Sequence, residues 1–328
     1  MWALINKTPF SAGKAFERDR VGHEVLCLAV RATLKARDDG FWMPCDEQIP
    51  ISLAPQLGDE EMIADADIIP FLPGAEVLVR GTVRGPLPPE GQSARISVGD
   101  IEHHIRLWPA RQARLVRRRV LVEDIASSDF GLTWSNAAGG VLPNGKLHPA
   151  NPVGTGLTFP ENEEPVALPR ILAPDDRPEA LKPTTHPVSV GPIHRHWSPR
   201  LEAAGTYDSE WQETQAPCLP KDFDPSFYFS APPPLRQSQP FQGNELLEVS
   251  GFGTSPAINM RLPSVVLTSI TEIGIERVER RPALHRITID IDTETVDLLW
   301  LASIPCDGRD HLIRRSTLRL KQVSRIAL

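Results

Sequence analysis

Proline occurs 33 times in 328 residues, about twice its average share. Each proline fixes φ and removes a backbone donor, so long helices and uninterrupted central strands are scarce and ordered loops take up much of the chain. The segments between prolines carry strand patterns. Glu24 to Lys35 (EVLCLAVRATLK) is apolar on both faces and predicts a strand buried on two sides. Asp38-Asp39-Gly40 supplies turn chemistry, and Phe41 to Cys45 is expected to return antiparallel. Arg286 to Asp292 sets Ile287, Ile289 and Ile291 against Thr288, Asp290 and Asp292. Thr293-Glu294 then turns the chain into Thr295 to Ser303, the clearest hairpin in the sequence.

Further strands are expected at Ala3 to Phe10, Ala94 to Val98, Glu102 to Leu107, Arg114 to Val122, Asn244 to Gly251, Met260 to Leu267 with an interruption at Pro263, and His311 to Leu320. Glu76 to Val83 reads as a strand with a bulge at Gly81. The fold class is mainly β, with antiparallel sandwich-like or barrel-like halves rather than a parallel α/β sheet. Composition divides the chain into three lengths. These are a β-rich half over 1–126, a Pro/Gly-rich connector over 127–240, and a β-rich half over 241–328 expected to pack on the first. The connector holds Trp134, Phe159, Leu168, Ile171 and Leu172, which predict an ordered loop.

Within the connector, Gly191 to Asp224 (GPIHRHWSPRLEAAGTYDSEWQETQAPCLPKDFD) packs Trp197, Tyr207, Trp211 and Phe223 among prolines and charges, with no single helix or strand period. Two short helices fit here. Ser198 is the expected N-cap of the first, with Pro199 at its first position and Gly205 past its end. Asp208 is the expected cap of the second, which Pro217 closes off.

Net charge is −7, which disfavours non-specific nucleic-acid binding by the whole chain. Arg111 to Arg119 (RQARLVRRR) has only Trp108 as a nearby aromatic, so a solvated basic strand suited to an acidic protein partner is the simpler reading. Cys27, Cys45, Cys218 and Cys306 form no C-x-x-C pair and are expected to be reduced. The opening MWALINKTPFSAG lacks the pattern of a signal peptide, and no apolar run reaches the ~18 residues of a membrane span. A cytoplasmic protein without a membrane partner is expected. No phosphate-binding, nucleophile-elbow or H-E-x-x-H motif is present, and no cofactor is expected.

His194 and His196 are the most metal-like pair, since residues i and i+2 of an extended chain face one side. Asp222 and Asp224 would add oxygens. Arg195, Arg200, Asp208, Glu210, Asp222 and Asp224 read more simply as ion pairs that hold irregular loops together.

The combination resembles one bacterial family. Its signature is matched by GPIHRHWSPRLEAAGTYDSEWQ, followed by Pro217, Leu219-Pro220 and Asp222-Phe223-Asp224. Asn6-Lys7-Thr8-Pro9-Phe10, then Gly22 and Ala32-Thr33-Leu34, fit its opening. Asp67 through Pro70, Pro73 and Val77-Leu78-Val79-Arg80-Gly81 fit its second block, and Asn151-Pro152-Val153-Gly154-Thr155-Gly156 its third. Phe71-Leu72 stands where relatives usually carry lysine, a departure that bears on the identity of the partner.

The family is long catalogued as a domain of unknown function, encoded beside the VgrG and PAAR spike genes of type VI secretion. The resemblance implies a non-enzymatic adaptor or chaperone that binds a secreted effector and helps load it onto the VgrG spike, often with a PAAR-repeat protein. It implies no catalytic residues. Arg195, Trp197, Arg200, Tyr207, Asp208, Trp211, Asp222, Phe223 and Asp224 are then the signature or partner-binding candidates. The residues alone leave two other readings open. One is a metal-dependent or hydrolase-like enzyme using His194, His196, Asp222 and Asp224, and the other is a structural component of the spike.

Overall fold

The computed structural model describes residues 2–58, 61–117, 119–126, 128–159 and 164–327. The protein is mainly β, with several sheets and a few short helices. Its centre is a seven-stranded sheet. The strands run in the order Arg236–Gln237, Ala75–Arg80, Ala283–Asp290, Thr295–Pro305, Glu24–Ala36 and Ser11–Arg18, and Trp42–Pro44 also pairs with Glu24–Ala36. The two expected hairpins lie in this sheet. Asp290 pairs with Thr295 across the first, and Leu34 pairs with Pro44 in the second.

A five-stranded sheet follows the order Ile171–Leu172, Ile101–Leu107, Gln92–Val98, Leu246–Ser250 and Ile258–Arg261. A four-stranded sheet runs Ala3–Lys7, Ile313–Ser324, Ser264–Ile273, Glu276–Arg280. The three lengths of chain distinguished by composition interleave in space. Strands from before residue 126 and after residue 241 hydrogen-bond within the seven-stranded and five-stranded sheets, and each also takes a two-residue strand from between them.

The Glu24–Ala36 strand shows why it reads as apolar on both faces. Val30, Ala32 and Leu34 enter the largest core with Ile96, Val98, Ile105, Leu247 and Trp300. Val25, Cys27 and Ala29 point the other way, under Ile68, Ile69, Leu72 and Phe229. Leu26 and Leu28 pack beneath the four-stranded sheet with Ile273, Ile304 and Ile313. This strand touches three apolar clusters, so its unbroken hydrophobicity is the pattern of a fully buried strand.

Several boundaries differ from expectation, each for a local reason. Arg114 to Val122 is not one strand. It divides into Arg111–Val116 and Arg119–Asp124, a hairpin in which Arg117 takes a left-handed φ of 46°. Met260 to Leu267 also divides. Ile258–Arg261 joins the five-stranded sheet and Ser264–Ile273 the four-stranded one, because Pro263 between them cannot donate to a ladder. At Gly81, φ is 131°. There the chain leaves the seven-stranded sheet, and Thr82–Val83 pairs instead with Phe130–Gly131. Ser11–Arg18 is a strand that the sequence pattern conceals, since it lies on a sheet edge and is only partly buried.

Among the described residues three strand pairings are parallel, Ala3–Lys7 with Ile313–Ser324, Ala75–Arg80 with Ala283–Asp290, and the short Ala138–Gly139 with Thr155–Gly156. The first connector helix spans Arg200–Ala203, with Pro199 rather than Ser198 at its N-cap. The Ser198 hydroxyl instead donates to Glu202 at 2.6 Å. The second spans Ser209–Thr214, and Asp208 caps it by accepting from the Trp211 N–H at 2.9 Å. All four cysteines are free thiols. Among the described residues no helix is long and apolar enough to cross a membrane.

Candidate functional site

Strand alternation gathers charge on one face of the seven-stranded sheet. Arg31 and Thr33 continue the face that Val25, Cys27 and Ala29 begin, because side chains two apart share a side. Asp297 lies directly opposite Thr33 in the register, and Arg286 opposite Glu76. Two irregular segments cover this face. One is Asp65 to Pro73, which brings Asp65 and Asp67. The other is the signature stretch, which brings Arg195 and Arg200.

The result is a buried ion-pair network in two neighbouring parts, one running through Arg31, Asp67 and Arg286 and one gathered at Asp65. Asp297 holds Arg31 at 2.8 Å, and Arg31 holds Asp67 at 3.1 Å. Asp67 meets Arg286 at 3.3 Å, and Arg286 meets Glu76 at 2.6 Å. Asp65 binds Arg195 at 2.7 Å and Arg200 at 2.6 Å. Four guanidiniums thus face four carboxylates, the balance that buried charges require. Backbone and hydroxyl donors take remaining acceptor positions. Glu76 accepts from the Ser230 and Ala231 N–H groups at 2.7 and 2.8 Å, Asp67 from the Ser52 N–H at 2.9 Å, and Asp297 from the Thr33 hydroxyl at 2.7 Å. Burial by itself would push the Asp65 carboxyl up, but Arg200 and Arg195 overcome it and hold the group below its usual range. Burial would likewise weaken the charge on Arg286, yet Glu76, Asp67 and Asp65 keep its affinity for the proton above the ordinary value.

A cleft of about 600 Å³ opens beside the network, walled by Glu61, Met62, Ile63, Arg80, Leu132 and Trp134. Arg80 joins the two, since it reaches Asp290 at 2.9 Å and Asp297 at 3.6 Å. Trp134 is fixed in the wall. Its backbone N–H donates to Glu61 at 2.7 Å, its indole donates to the Pro192 carbonyl at 2.9 Å, and its ring meets Trp197 edge-on at 6.2 Å. The cleft is therefore a preformed, largely apolar recess with one guanidinium and one carboxylate at its border. A general base needs a carboxylate free to take a substrate proton. The four network carboxylates are all engaged by guanidiniums.

The signature residues fall into two groups. Arg195, Trp197, Arg200 and Phe223 turn inward. Arg200 is 1% exposed, while Trp197 and Phe223 are core residues. Tyr207, Asp208, Trp211, Asp222 and Asp224 lie at or near the surface. Tyr207 and Trp211 meet edge-on at 4.7 Å, and the Trp211 indole donates to the Cys218 carbonyl at 2.9 Å. Asp208, Asp222 and Asp224 do not pair with arginines. Asp208 caps a helix, Asp222 accepts from the Thr206 N–H and hydroxyl at 3.0 and 2.7 Å, and Asp224 accepts from the Ser226 N–H at 2.8 Å. Glu210 lies 3.9 Å from Lys221 in an exposed pair.

His194 and His196 do lie side by side, with ring centroids 5.3 Å apart. His194 also packs on Trp197 at 5.5 Å and accepts the His196 N–H at 3.2 Å. Among the described residues no three His, Cys, Asp or Glu side chains converge as a metal site, so the proposed set with Asp222 and Asp224 is not brought together. Arg31, Glu76, Arg286 and Asp297 were not singled out from the sequence. Their signal was present, as charged residues inside otherwise apolar strands, where an ion has to find a partner.

Neither a curated protein nor a solved structure matches the chain. Residues 21–301 match the sequence model of a family described as an uncharacterized protein conserved in bacteria (DUF2169), and that span includes both the network and the signature stretch, so the chain belongs to this family.

Proposed function

We propose that this protein is a non-enzymatic adaptor or chaperone that binds a type VI secretion effector and helps load it onto the VgrG/PAAR spike. The link to secretion rests on the resemblance of the signature stretch to spike-associated adaptors. The observation that carries the binding role is the cleft. Its rim residue Ile63 is 56% exposed, while its wall is tied to the buried network through Arg80 and held in place by the Trp134 bonds to Glu61 and Pro192. A rigid recess with an exposed apolar rim suits capture of a partner's apolar side chain, since little ordering is required on binding.

The test is co-purification of the chain with effector, PAAR-repeat and VgrG proteins encoded beside it, followed by titration of any complex. A 1:1 or other defined complex at micromolar concentration is expected, and Ile63→Glu should weaken it at least about tenfold. No binding to any of these partners at micromolar concentration overturns the adaptor reading. Unchanged affinity of Ile63→Glu moves the binding face away from the cleft.

A further inference from the structure

The hairpin Arg111–Val116 and Arg119–Asp124 forms a small sheet with Val166–Ala167, and Arg119–Asp124 is its outer strand. Protein edges are usually blunted by charge, proline or a bulge. This one carries three consecutive exposed apolar residues, Val120 at 42%, Leu121 at 45% and Val122 at 38%. We propose that this edge pairs antiparallel with the same strand of a second copy of the chain, centred on Leu121.

Hydrogen bonding determines which groups the edge offers. The Leu168 N–H donates to the Arg111 carbonyl. Odd-numbered members of Arg111–Val116 therefore face Val166–Ala167, and even-numbered members face the outer strand. Gln112 pairs with Glu123, Arg114 with Leu121 and Val116 with Arg119. The odd members of the outer strand consequently face inward, and the Ile125 N–H donating to the Ala110 carbonyl agrees. Val120 and Val122 are left with N–H and C=O groups directed outward, away from the hairpin.

A two-fold axis through the edge constrains the register. Opposed residues must share a face and an outward or inward sense, so they differ by an even number. Centring on Leu121 places Val120 against Val122 of the second copy, which exchange both ladder hydrogen bonds. It places Arg119 against Glu123 of the second copy and Leu121 against itself. The sequence Arg119-Val120-Leu121-Val122-Glu123 is thus complementary to its own reverse. Centring on Val122 would oppose Leu121 to Glu123 and Val120 to Asp124. Centring on Val120 would oppose Arg119 to Leu121 and would set Glu123 against Arg117, which lies in the turn outside the strand. Only the Leu121 register matches charge with charge and apolar with apolar. Glu123 already accepts from Arg114 and Gln112, and a carboxylate has capacity for another donor. The idea is independent of the adaptor reading.

Sedimentation velocity over a concentration series tests this on the full chain. A small strand-edge interface predicts a monomer–dimer equilibrium with a midpoint of about 10–100 µM. Val122→Pro removes one outward N–H and leaves the inner ladder complete, and it should abolish the dimer over that range. Arg119→Glu and Glu123→Arg should each weaken association at least about tenfold through like charges. Mixed 1:1, these two variants should recover the wild-type level, because each then faces its opposite. Circular dichroism confirms that each variant is folded. If Val122→Pro does not fold, the charge-swap mixture decides the question. A wild type that stays monomeric throughout overturns the proposal. So does a mixture that associates no better than its components.

Discussion

Asp65→Asn probes the join between the signature stretch and the Asp65 to Pro73 segment, the two that cover the central sheet. The side chain is 2% exposed and receives Arg195 Nε at 3.1 Å, Arg195 Nη2 at 2.7 Å and Arg200 Nη2 at 2.6 Å. Asparagine keeps the volume and removes the charge. Arg200 keeps its bonds to the Phe227 and Ile193 carbonyls at 2.9 and 2.7 Å but loses its ion pair. Leaving one member of a buried pair unmatched costs about 3–5 kcal/mol. Unfolding entropy of about 2.1 cal/mol/K per residue gives roughly 0.7 kcal/mol/K for this length, so Tm should fall by about 4–7 °C.

Scanning calorimetry and urea unfolding measure the shift, which should change little with added salt because the pair is buried. Arg195→Ala should cost less, about 1 kcal/mol, since that side chain is 35% exposed and partly screened. The double variant Asp65→Asn/Arg200→Met should be more stable than the sum of its singles by about 1–3 kcal/mol. A Tm for Asp65→Asn within about 1 °C of wild type would refute the claim that this pair locks the signature stretch to the Asp65 to Pro73 segment.

Acid should remove stability in two stages. Burial lowers the His285 and His103 pKa values, so the unfolded chain gains protons first and stability declines as pH falls below about 6.5. The Asp65 carboxyl is held below its usual value, so its contribution is complete above about pH 3.9 and is lost as pH falls through the folded value. Urea midpoints that rise between about pH 7.5 and 5 would contradict the first stage. Gly74→Ala would place a Cβ 1.9 Å from the Gln237 carbonyl oxygen. It should cost about 2 kcal/mol or more by prying Arg236–Gln237 from Ala75–Arg80, read as a lowered urea midpoint.

Much of the architecture was legible in local pattern. The unbroken apolar run of Glu24–Ala36, the isoleucine alternation ending at Asp290 and the Asp208 cap each report a short-range rule of period or hydrogen bonding. Proline density and the regular spacing of the strand segments favoured a mainly antiparallel β fold over a parallel α/β one. Local pattern did not reveal where a strand changes sheets. At Gly81 and Pro263 the chain changes its hydrogen-bond partner, and partner choice depends on residues far away in sequence.

The candidate site divides along the same line. Sequence alone determined that Gly191 to Asp224 is the distinctive stretch and that its arginines call for acidic partners. The tertiary structure decided which acids those are. Arg195 and Arg200 pass over nearby Asp208, Asp222 and Asp224, which serve the loop's own backbone, and pair with Asp65, 130 and 135 residues away. The physical reason is burial. Exposed carboxylates satisfy local N–H groups at little cost, whereas an arginine enclosed by the sheet must meet a carboxylate enclosed with it, and only the folded chain brings those two together.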